Sequence, residues 1–254
     1  MELILAGCGG RMGQLTVKAA AENGIEIKAG IDFSMPESVS FPVFRSALEV
    51  PLVGEVFLDF SACRALSENL GYLRKNSTPA VFAVTGYSEG QKRAIRDYGR
   101  QAPVLLCSNF SPVAALLSRL SALCRRELAG YDAEIVEWHR KGKADAPSGT
   151  ALELQKALGE AVPIHSIRAG NTPGEHEVLF AGGGETLSLC HHIDTPVVFA
   201  REALAACRWI IAQPKGLYTE RDFFEPKRAE KAGYPLQTED TPPLPSDMFP
   251  PLSR

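Results

Sequence analysis

The first 32 residues place a short apolar segment, a glycine-rich turn, a helical segment and a second apolar segment in direct succession. The segment "ELILAG" has no polar alternation, which is typical of a strand buried on both faces of a parallel sheet. "GCGGRMG" follows it, "QLTVKAAAENG" has helical composition, and "IEIKAGID" ends at Asp32. This order is that of a dinucleotide-binding unit, so we expect an α/β fold at the start of the chain.

The glycines of the turn, Gly7, Gly10 and Gly13, have the spacing GxxGxxG. The commoner G-x-G-x-x-G pattern would place glycine at Met12, so a tight turn without a ligand is the alternative interpretation. Backbone without Cβ atoms before a helix N-terminus nevertheless suits a pyrophosphate, and the acidic residue after the second strand favours nucleotide binding.

Asp32 also bears on the choice of nucleotide. A carboxylate at this position accepts hydrogen bonds from the ribose 2'-OH of NAD and repels the 2'-phosphate of NADP. Phe33 and Ser34 supply no cation, although Arg11 in the turn could reach a 2'-phosphate. We therefore expect NADH or NADPH as cofactor, with NADH favoured.

The rest of the chain divides into two patterns. Three further strand-like segments, "EVFLDFS", "TPAVFAVTG" and "PVLLCSNFS", alternate with helical segments, which predicts a parallel sheet with right-handed crossovers. After Ser111 helices and strands mix, and "EHEVLFAGGGETLSLCHH" predicts a hairpin. The predicted fold is an N-terminal Rossmann-like parallel-sheet domain, residues 1–110, followed by an α+β mixed-sheet domain, residues 111–195. Residues 233–254 are proline-rich and are predicted to form an extended tail.

Charge and cysteine content exclude several classes of function. A formal net charge of -3 argues against a nucleic-acid binder that works through a general basic field. The six cysteines include no CxxC pair, so we expect neither a metal site nor a disulfide framework, but thiols in a reducing cytoplasm. No segment has the length of a transmembrane helix, and no membrane partner is expected.

One stretch, "EWHRKGKADAPSGTAL", collects positive charge just before a predicted helix. Arg140 carries a planar fork that can hold a carboxylate, Lys143 carries a mobile ammonium, and His139 can give a proton near neutral pH. Ser148 is a candidate N-cap, after which Gly149 and Thr150 present N–H groups without helical partners. The stretch therefore predicts an anion site for a small dicarboxylate beside a proton donor. A solvated basic loop before an ordinary capped helix is the alternative.

At this point the sequence resembles a known family. "GCGGRMG", "VTGYSE", "SNFSP", "EIVEWHRKGKADAPSGTAL" and "AGNTPGEHEVLFAGGGETLSL" occur in the order and approximate spacing of the 4-hydroxy-tetrahydrodipicolinate (dihydrodipicolinate) reductases. The resemblance covers roughly residues 3–218, and "KADAPSGTAL" is its most specific part.

The resemblance implies hydride transfer from NAD(P)H to a small cyclic dicarboxylate, in diaminopimelate and lysine biosynthesis. It implies that His139 is the proton donor, that Lys143 is the second catalytic cation, and that a substrate carboxylate binds at Gly149 and Thr150. It also implies a cytoplasmic homotetramer assembled through the second domain, with the chain returning to the first domain over about residues 196–232. The nucleotide contacts that it implies are Gly7, Cys8, Gly9, Gly10, Arg11, Met12, Asp32, Ala83, Val84, Thr85, Cys107, Ser108, Asn109 and Phe110.

Four residues at three places depart from the family pattern. Arg140 replaces a histidine of the usual H-H-R-H-K loop, Ala83-Val84 replaces the first two residues of a G-T-T-G turn, and Pro196 stands where an arginine is common. Two alternatives therefore stay open: another NAD(P)-dependent reductase of a small acid, or a catalytically degenerate homologue that binds nucleotide. His176 and the pair His191-His192 fall in the predicted hairpin, where surface or interface positions are expected.

Overall fold

The computed structural model describes residues 1–34 and 39–224. The predicted tail, residues 233–254, lies outside the described residues. Among those described, no helix combines the length and the apolar character needed to cross a membrane.

The first part of the chain alternates strands with helices. Its elements are β1 (Glu2–Ala6), α1 (Arg11–Glu22), β2 (Glu26–Ile31), β3 (Val43–Phe44), β4 (Val56–Asp59), α2 (Leu66–Asn76), β5 (Ala80–Phe82), α3 (Glu89–Tyr98) and β6 (Pro103–Leu106). The chain continues with α4 (Pro112–Glu127), β7 (Asp132–His139), α5 (Gly149–Leu158), β8 (Ile164–Arg168), β9 (Glu175–Gly182) and β10 (Glu185–His192). The described residues end with α6 (Val197–Ile211), β11 (Gly216–Thr219) and α7 (Glu220–Phe224).

The first sheet is parallel throughout, with strand order β11-β6-β5-β4-β1-β2-β3. Its central strands are apolar on both faces because helices cover both. One face packs against α1 and α6, around Leu5, Leu58 and Leu204. The other packs against α2 and α3, around Phe57 and Tyr98. The strands β3 and β11 were not expected from the sequence, since the first has two residues and the second no apolar run.

The second sheet is mixed, with strand order β10-β9-β7-β8. β7 pairs in parallel with β8 and antiparallel with β9, which forms the predicted hairpin with β10. Helices α4 and α5 cover one face, where Leu117, Leu154 and Phe180 are buried together. The two sheets confirm the predicted fold class, a parallel-sheet domain joined to a mixed α+β domain.

Candidate active site

The glycine-rich turn brings α1 into close contact with β1. Gly7 has φ +80°, and a Cβ on it would lie 2.6 Å from the backbone of Phe60. A Cβ on Gly13 would lie 2.0 Å from the carbonyl oxygen of Gly7, so the helix could not approach the strand this closely with any side chain there. Gly10 is the N-cap residue and no side chain caps α1. The turn therefore leaves a helix N-terminus without a side-chain acceptor, as a pyrophosphate requires.

Asp32 lies beside this turn, directly after β2. Its Oδ2 accepts a hydrogen bond from the N–H of Gly9 at 2.9 Å, and its Oδ1 accepts one from the N–H of Ser34 at 2.9 Å. The adjacent Phe33 is 78% exposed, and the guanidinium carbon of Arg45 lies 5.9 Å from its ring centroid. Arg45 follows β3, whose Phe44 accepts a hydrogen bond from the N–H of Asp32. A cation thus lies next to the predicted ribose site; from the sequence, Arg11 was the candidate there and Arg45 was not expected.

A cavity of about 940 Å³ lies where the carboxyl edge of the first sheet meets the second domain. Its wall on the first domain includes Arg11, Met12, Ala83, Thr85, Ser108, Asn109 and Phe110, and its opposite wall includes His139, Arg140, Lys143, Ser148, Gly149 and Thr150. The structure therefore brings together the predicted catalytic and substrate-binding residues with half of the predicted nucleotide contacts.

The remaining predicted nucleotide contacts do not line this cavity. These are Gly7, Cys8, Gly9, Gly10, Asp32, Val84 and Cys107. Cys8 and Cys107 are buried, and burial raises the pKa of both thiols, to about 11 for Cys8. Any contact that these two residues make with a nucleotide is therefore to be expected from backbone atoms.

The start of α5 forms part of the second-domain wall. Ser148 is its N-cap, with Oγ accepting a hydrogen bond from the N–H of Ala151 at 3.3 Å. The same Oγ lies 3.2 Å from Nε2 of His176. Ser148 therefore has the predicted capping role, and its side chain is fixed by a histidine on a distant strand.

Strand register places four polar side chains on one face of the second sheet. Glu137 and His139 are two residues apart on β7, so their side chains lie on the same face. On the neighbouring strands, His176 is paired with Glu137 and Arg168 is paired with His139. Oε2 of Glu137 lies 2.5 Å from Nδ1 of His139, and Oε1 accepts a hydrogen bond from Nη2 of Arg168 at 2.6 Å. Glu137 thus contacts Nδ1 of His139, and His139 lines the cavity.

Burial and neighbouring charges set the protonation of this group. Burial by itself would raise the pKa of Glu137, but hydrogen bonds from Arg168 and Ser166 bring it down to about 2. Burial lowers the pKa of His139, with the charge of Glu137 opposing this and that of Lys143 adding to it. Burial also lowers the pKa of His176, to about 3. Glu137 is therefore ionised and His176 neutral, while His139 is the group that can exchange a proton.

Lys143 and Arg140 supply the positive charge. Both oxygens of Asp145 accept hydrogen bonds from Nζ of Lys143, at 2.7 and 2.8 Å. Arg140 is exposed at the cavity mouth. Two cations and the N–H groups at the start of α5 thus lie in the same cavity wall as His139.

The buried histidines of the hairpin correct an expectation. His176 and His191 were expected at the surface or an interface, but both are buried, with stacked rings whose centroids lie 5.6 Å apart. The ring of His176 also meets that of His139 edge-on at 5.1 Å. Of these three histidines, His192 alone is exposed, and it is paired with Glu175 at 2.6 Å. The burial of His176 could have been predicted from the sequence, because His176, Val178 and Phe180 are every second residue of β9 and therefore share one face.

Three of these residues also have the ligand types of a transition-metal site. Within the described residues, Glu137, His139 and His176 offer donor atoms that all lie within 4.8 Å of one another. Arg168 already neutralises Glu137, and His139 lies in direct contact with it. We therefore interpret the arrangement as a carboxylate–histidine pair and not as a metal centre.

Comparisons with known proteins cover both parts of the chain. A family model described as "Dihydrodipicolinate reductase, N-terminus" matches residues 1–110, and one described as "Dihydrodipicolinate reductase, C-terminus" matches residues 113–224. A 4-hydroxy-tetrahydrodipicolinate reductase of Clostridium novyi (strain NT) is 36% identical over 249 residues, which are 89% of this chain and 99% of the relative. One of Stenotrophomonas maltophilia (strain R551-3) is 36% identical over 234 residues, with coverage of 89% and 98%.

Solved structures share the fold at lower identity. A dipicolinate-bound dihydrodipicolinate reductase from Paenisporosarcina sp. TG-14 has a TM-score of 0.73 and 23% identity, over 87% of this chain and 98% of its own. A diaminopimelate dehydrogenase of C. glutamicum has a TM-score of 0.55 and 12% identity, over 89% and 96%. These likenesses support the two-domain fold described above.

Proposed function

The chain belongs to the dihydrodipicolinate reductase family, and on that premise we propose how its residues carry out the family's reaction. The reaction is the reduction of 4-hydroxy-tetrahydrodipicolinate to tetrahydrodipicolinate with NAD(P)H, in diaminopimelate and lysine biosynthesis. The observation that carries the proposal is the cavity in which His139, Lys143 and the start of α5 face Arg11 and Met12 at the start of α1 and the loops after β5 and β6.

The described residues fit a dinucleotide. Gly7 and Gly13 remove the Cβ atoms that would fill the turn, and α1 presents an N-terminus without a side-chain cap. A bound reduced nicotinamide nucleotide supplies the hydride. We assign its contacts to the predicted set, with Asp32 holding the adenosine ribose. NADH is the proposed preferred form, and Arg45 makes NADPH acceptable because it brings a cation beside Asp32.

The second domain binds and protonates the substrate. Lys143 and the N–H groups of Gly149 and Thr150 hold one carboxylate, and Arg140 attracts the dianion at the mouth of the cavity. Fixing both partners in one cavity supplies much of the rate, since hydride transfer requires donor and acceptor carbons about 3.5 Å apart. His139 gives the balancing proton from Nε2, because Nδ1 lies against Glu137.

We further propose that the domains divide these tasks as the sequence predicts. Residues 1–110, joined by about 196–232, hold the nucleotide, and residues 111–195 hold the substrate and assemble a homotetramer. The uncovered face of the second sheet supports this assembly, since Trp138 and Ile167 are 39% and 42% exposed there. The six free cysteines agree with a cytoplasmic location.

The test is turnover with enzymatically generated substrate, read as loss of NADH or NADPH absorbance. We expect turnover with both nucleotides and a lower KM for NADH. His139→Gln should lower kcat by a factor on the order of 10² to 10⁴ without changing the Kd for NADH. The control is Glu160→Gln, which changes an exposed residue of the second domain outside its sheet.

Other outcomes point to the alternatives. Tight NADH binding without turnover would indicate a degenerate homologue, and turnover only with another acid would indicate a different reductase. If the kcat of His139→Gln stayed within a factor of a few of that of the unmodified chain, His139 would be excluded as the proton donor.

A further inference from the structure

Glu153 connects the two walls of the active-site cavity. It lies on α5, past the N-terminus that we assign to the substrate carboxylate, and its Oε1 accepts a hydrogen bond from Oγ of Ser108 at 3.0 Å. Ser108 lies in the loop after β6, among the proposed nucleotide contacts. The bond therefore joins the nucleotide side of the cavity to the substrate side.

A second bond runs parallel to the first. Nδ2 of Asn109 donates to Oγ1 of Thr150 at 3.2 Å, again from the β6 loop to α5. All four residues line the cavity. The loop and the helix start are thus tied at two points, one of them directly at Thr150.

The surroundings of Glu153 do not favour a charged carboxylate. Its side chain is partly buried, and burial raises its pKa, while hydrogen bonds from Ser108 and Asn109 and the charge of Lys156 act in the opposite direction. Glu220 of α7 adds a second acid to the neighbouring cavity of about 890 Å³ that Glu153 also lines. Glu153 is therefore held in an unfavourable place by its bonds to the β6 loop.

We propose that Glu153 is a positioning residue that couples the two ligand sites. The inference rests on the proposed function, because it takes the β6 loop as a nucleotide contact and the start of α5 as the substrate site. A nucleotide that orders the loop orders Glu153 and Thr150 with it, so the carboxylate site is preformed for the second ligand. By linkage, the dicarboxylate strengthens nucleotide binding by the same factor.

The experiment measures that factor by calorimetry. The Kd for dipicolinate, a dicarboxylate that is not the substrate, is determined with and without saturating NADH, and the Kd for NADH with and without saturating dipicolinate. For the unmodified chain we expect each ligand to tighten the other about fivefold or more, within the usual range for coupled sites. Glu153→Ala should bring the factor below about twofold while the Kd for NADH alone stays within about twofold.

Two further variants separate coupling from folding. Glu153→Gln keeps an acceptor for Ser108 and should retain most of the factor, so it also serves if Glu153→Ala does not fold. Glu160→Gln changes an exposed acid just past the end of α5 and should retain the factor in full. The proposal is overturned if Glu153→Ala keeps the full factor, or if the unmodified chain binds both ligands independently. Absence of NADH binding or of turnover in the unmodified chain would instead contradict the proposed function.

Discussion

Oε2 of Glu137 lies 2.5 Å from Nδ1 of His139, and both side chains are buried on the face of the second sheet that meets the cavity. Because Arg168 occupies the other oxygen of Glu137, the carboxylate cannot turn away from the histidine. The contact restrains the ring of His139, so in the proposed mechanism Nε2 is the nitrogen that faces the substrate.

Replacing Glu137 by Gln should therefore change both the rate and its pH dependence. Burial lowers the pKa of His139 and the charge of Glu137 opposes this, so losing the charge lowers that pKa further. A proton donor with a lower pKa is deprotonated earlier, so the high-pH decline of kcat/KM should move to lower pH. We also expect kcat/KM to fall about 10²-fold.

The measurement is a pH profile of NADH oxidation. Glu134→Gln is the matched control, since Glu134 lies on the same strand but on the opposite face. A Glu137→Gln profile that superimposes on that of the unmodified chain would show that the carboxylate does not act on His139.

Gly174→Ala should block proton transfer by direct contact. A Cβ at this position would lie 3.0 Å from Nε2 of His139 and 3.1 Å from Cδ1 of Ile193, so the ring would have to shift. Displacement of a reacting group by a fraction of an ångström lowers turnover on the order of tenfold to a hundredfold. Steady-state kcat is measured alongside the Kd for NADH, which should not change. Gly130→Ala provides the comparison, since nothing lies within 4 Å of a Cβ there, and full activity of Gly174→Ala would place the transferring nitrogen elsewhere.

Arg45→Ala should alter the choice between nucleotides. Arg45 supplies positive charge beside Asp32, where a 2'-phosphate would add two negative charges. We expect KM for NADPH to rise about tenfold, which corresponds to about 1.4 kcal/mol, while KM for NADH stays within about twofold. Parallel titrations with both nucleotides measure this, with Arg100→Ala as an exposed control distant from β2. Equal effects on the two KM values would mean that Arg45 does not contact the 2'-phosphate.

Glu220 should make the fold less stable at higher pH. Burial, and then repulsion by Glu153, raise its pKa to about 8. The folded chain keeps this proton up to about pH 8, whereas the unfolded chain loses it near the ordinary value of 4.5. Stability that depends on the proton is therefore present below pH 4.5 and is lost as the pH rises toward 8.

Glu220→Gln removes this dependence, so its Tm relative to the unmodified chain should rise between pH 5 and pH 8. We expect a gain of about 2–4 °C at the higher pH, measured by thermal unfolding. Glu160→Gln, an exposed acid, should show no such trend. A Tm difference that is the same at both pH values would mean that Glu220 is ionised in the folded chain.

Local sequence predicted the parts of the site that are continuous in the chain. The turn from Gly7 to Gly13, the acidic residue after β2, and the run from His139 to Thr150 each depend on neighbouring residues, and the structure places them at one sheet edge. Glu137 could also have been predicted, because period-two alternation puts it on the face of His139.

The partners that complete the site come from pairing between distant segments. Arg168 contacts Glu137 because β8 pairs with β7 in parallel in one particular register. His176 contacts Ser148 because β9 pairs with β7 antiparallel, which places His176 beside the start of α5. Arg45 lies over Phe33, next to Asp32, because the two-residue strand β3 pairs with β2. Strand register between remote segments is not encoded in any local pattern, so a single sequence did not predict these contacts.

If Lys143 binds the substrate as proposed, its pair with Asp145 determines how an anion can enter. An incoming carboxylate must compete with one that is tethered two residues away, whose effective concentration is on the order of millimolar or more. A dilute monocarboxylate loses this competition, because it gains nothing beyond the ammonium it displaces. A diacid can displace Asp145, because binding of its second carboxylate compensates for the lost ion pair. The loop would therefore select against small monocarboxylic acids even before a ligand binds.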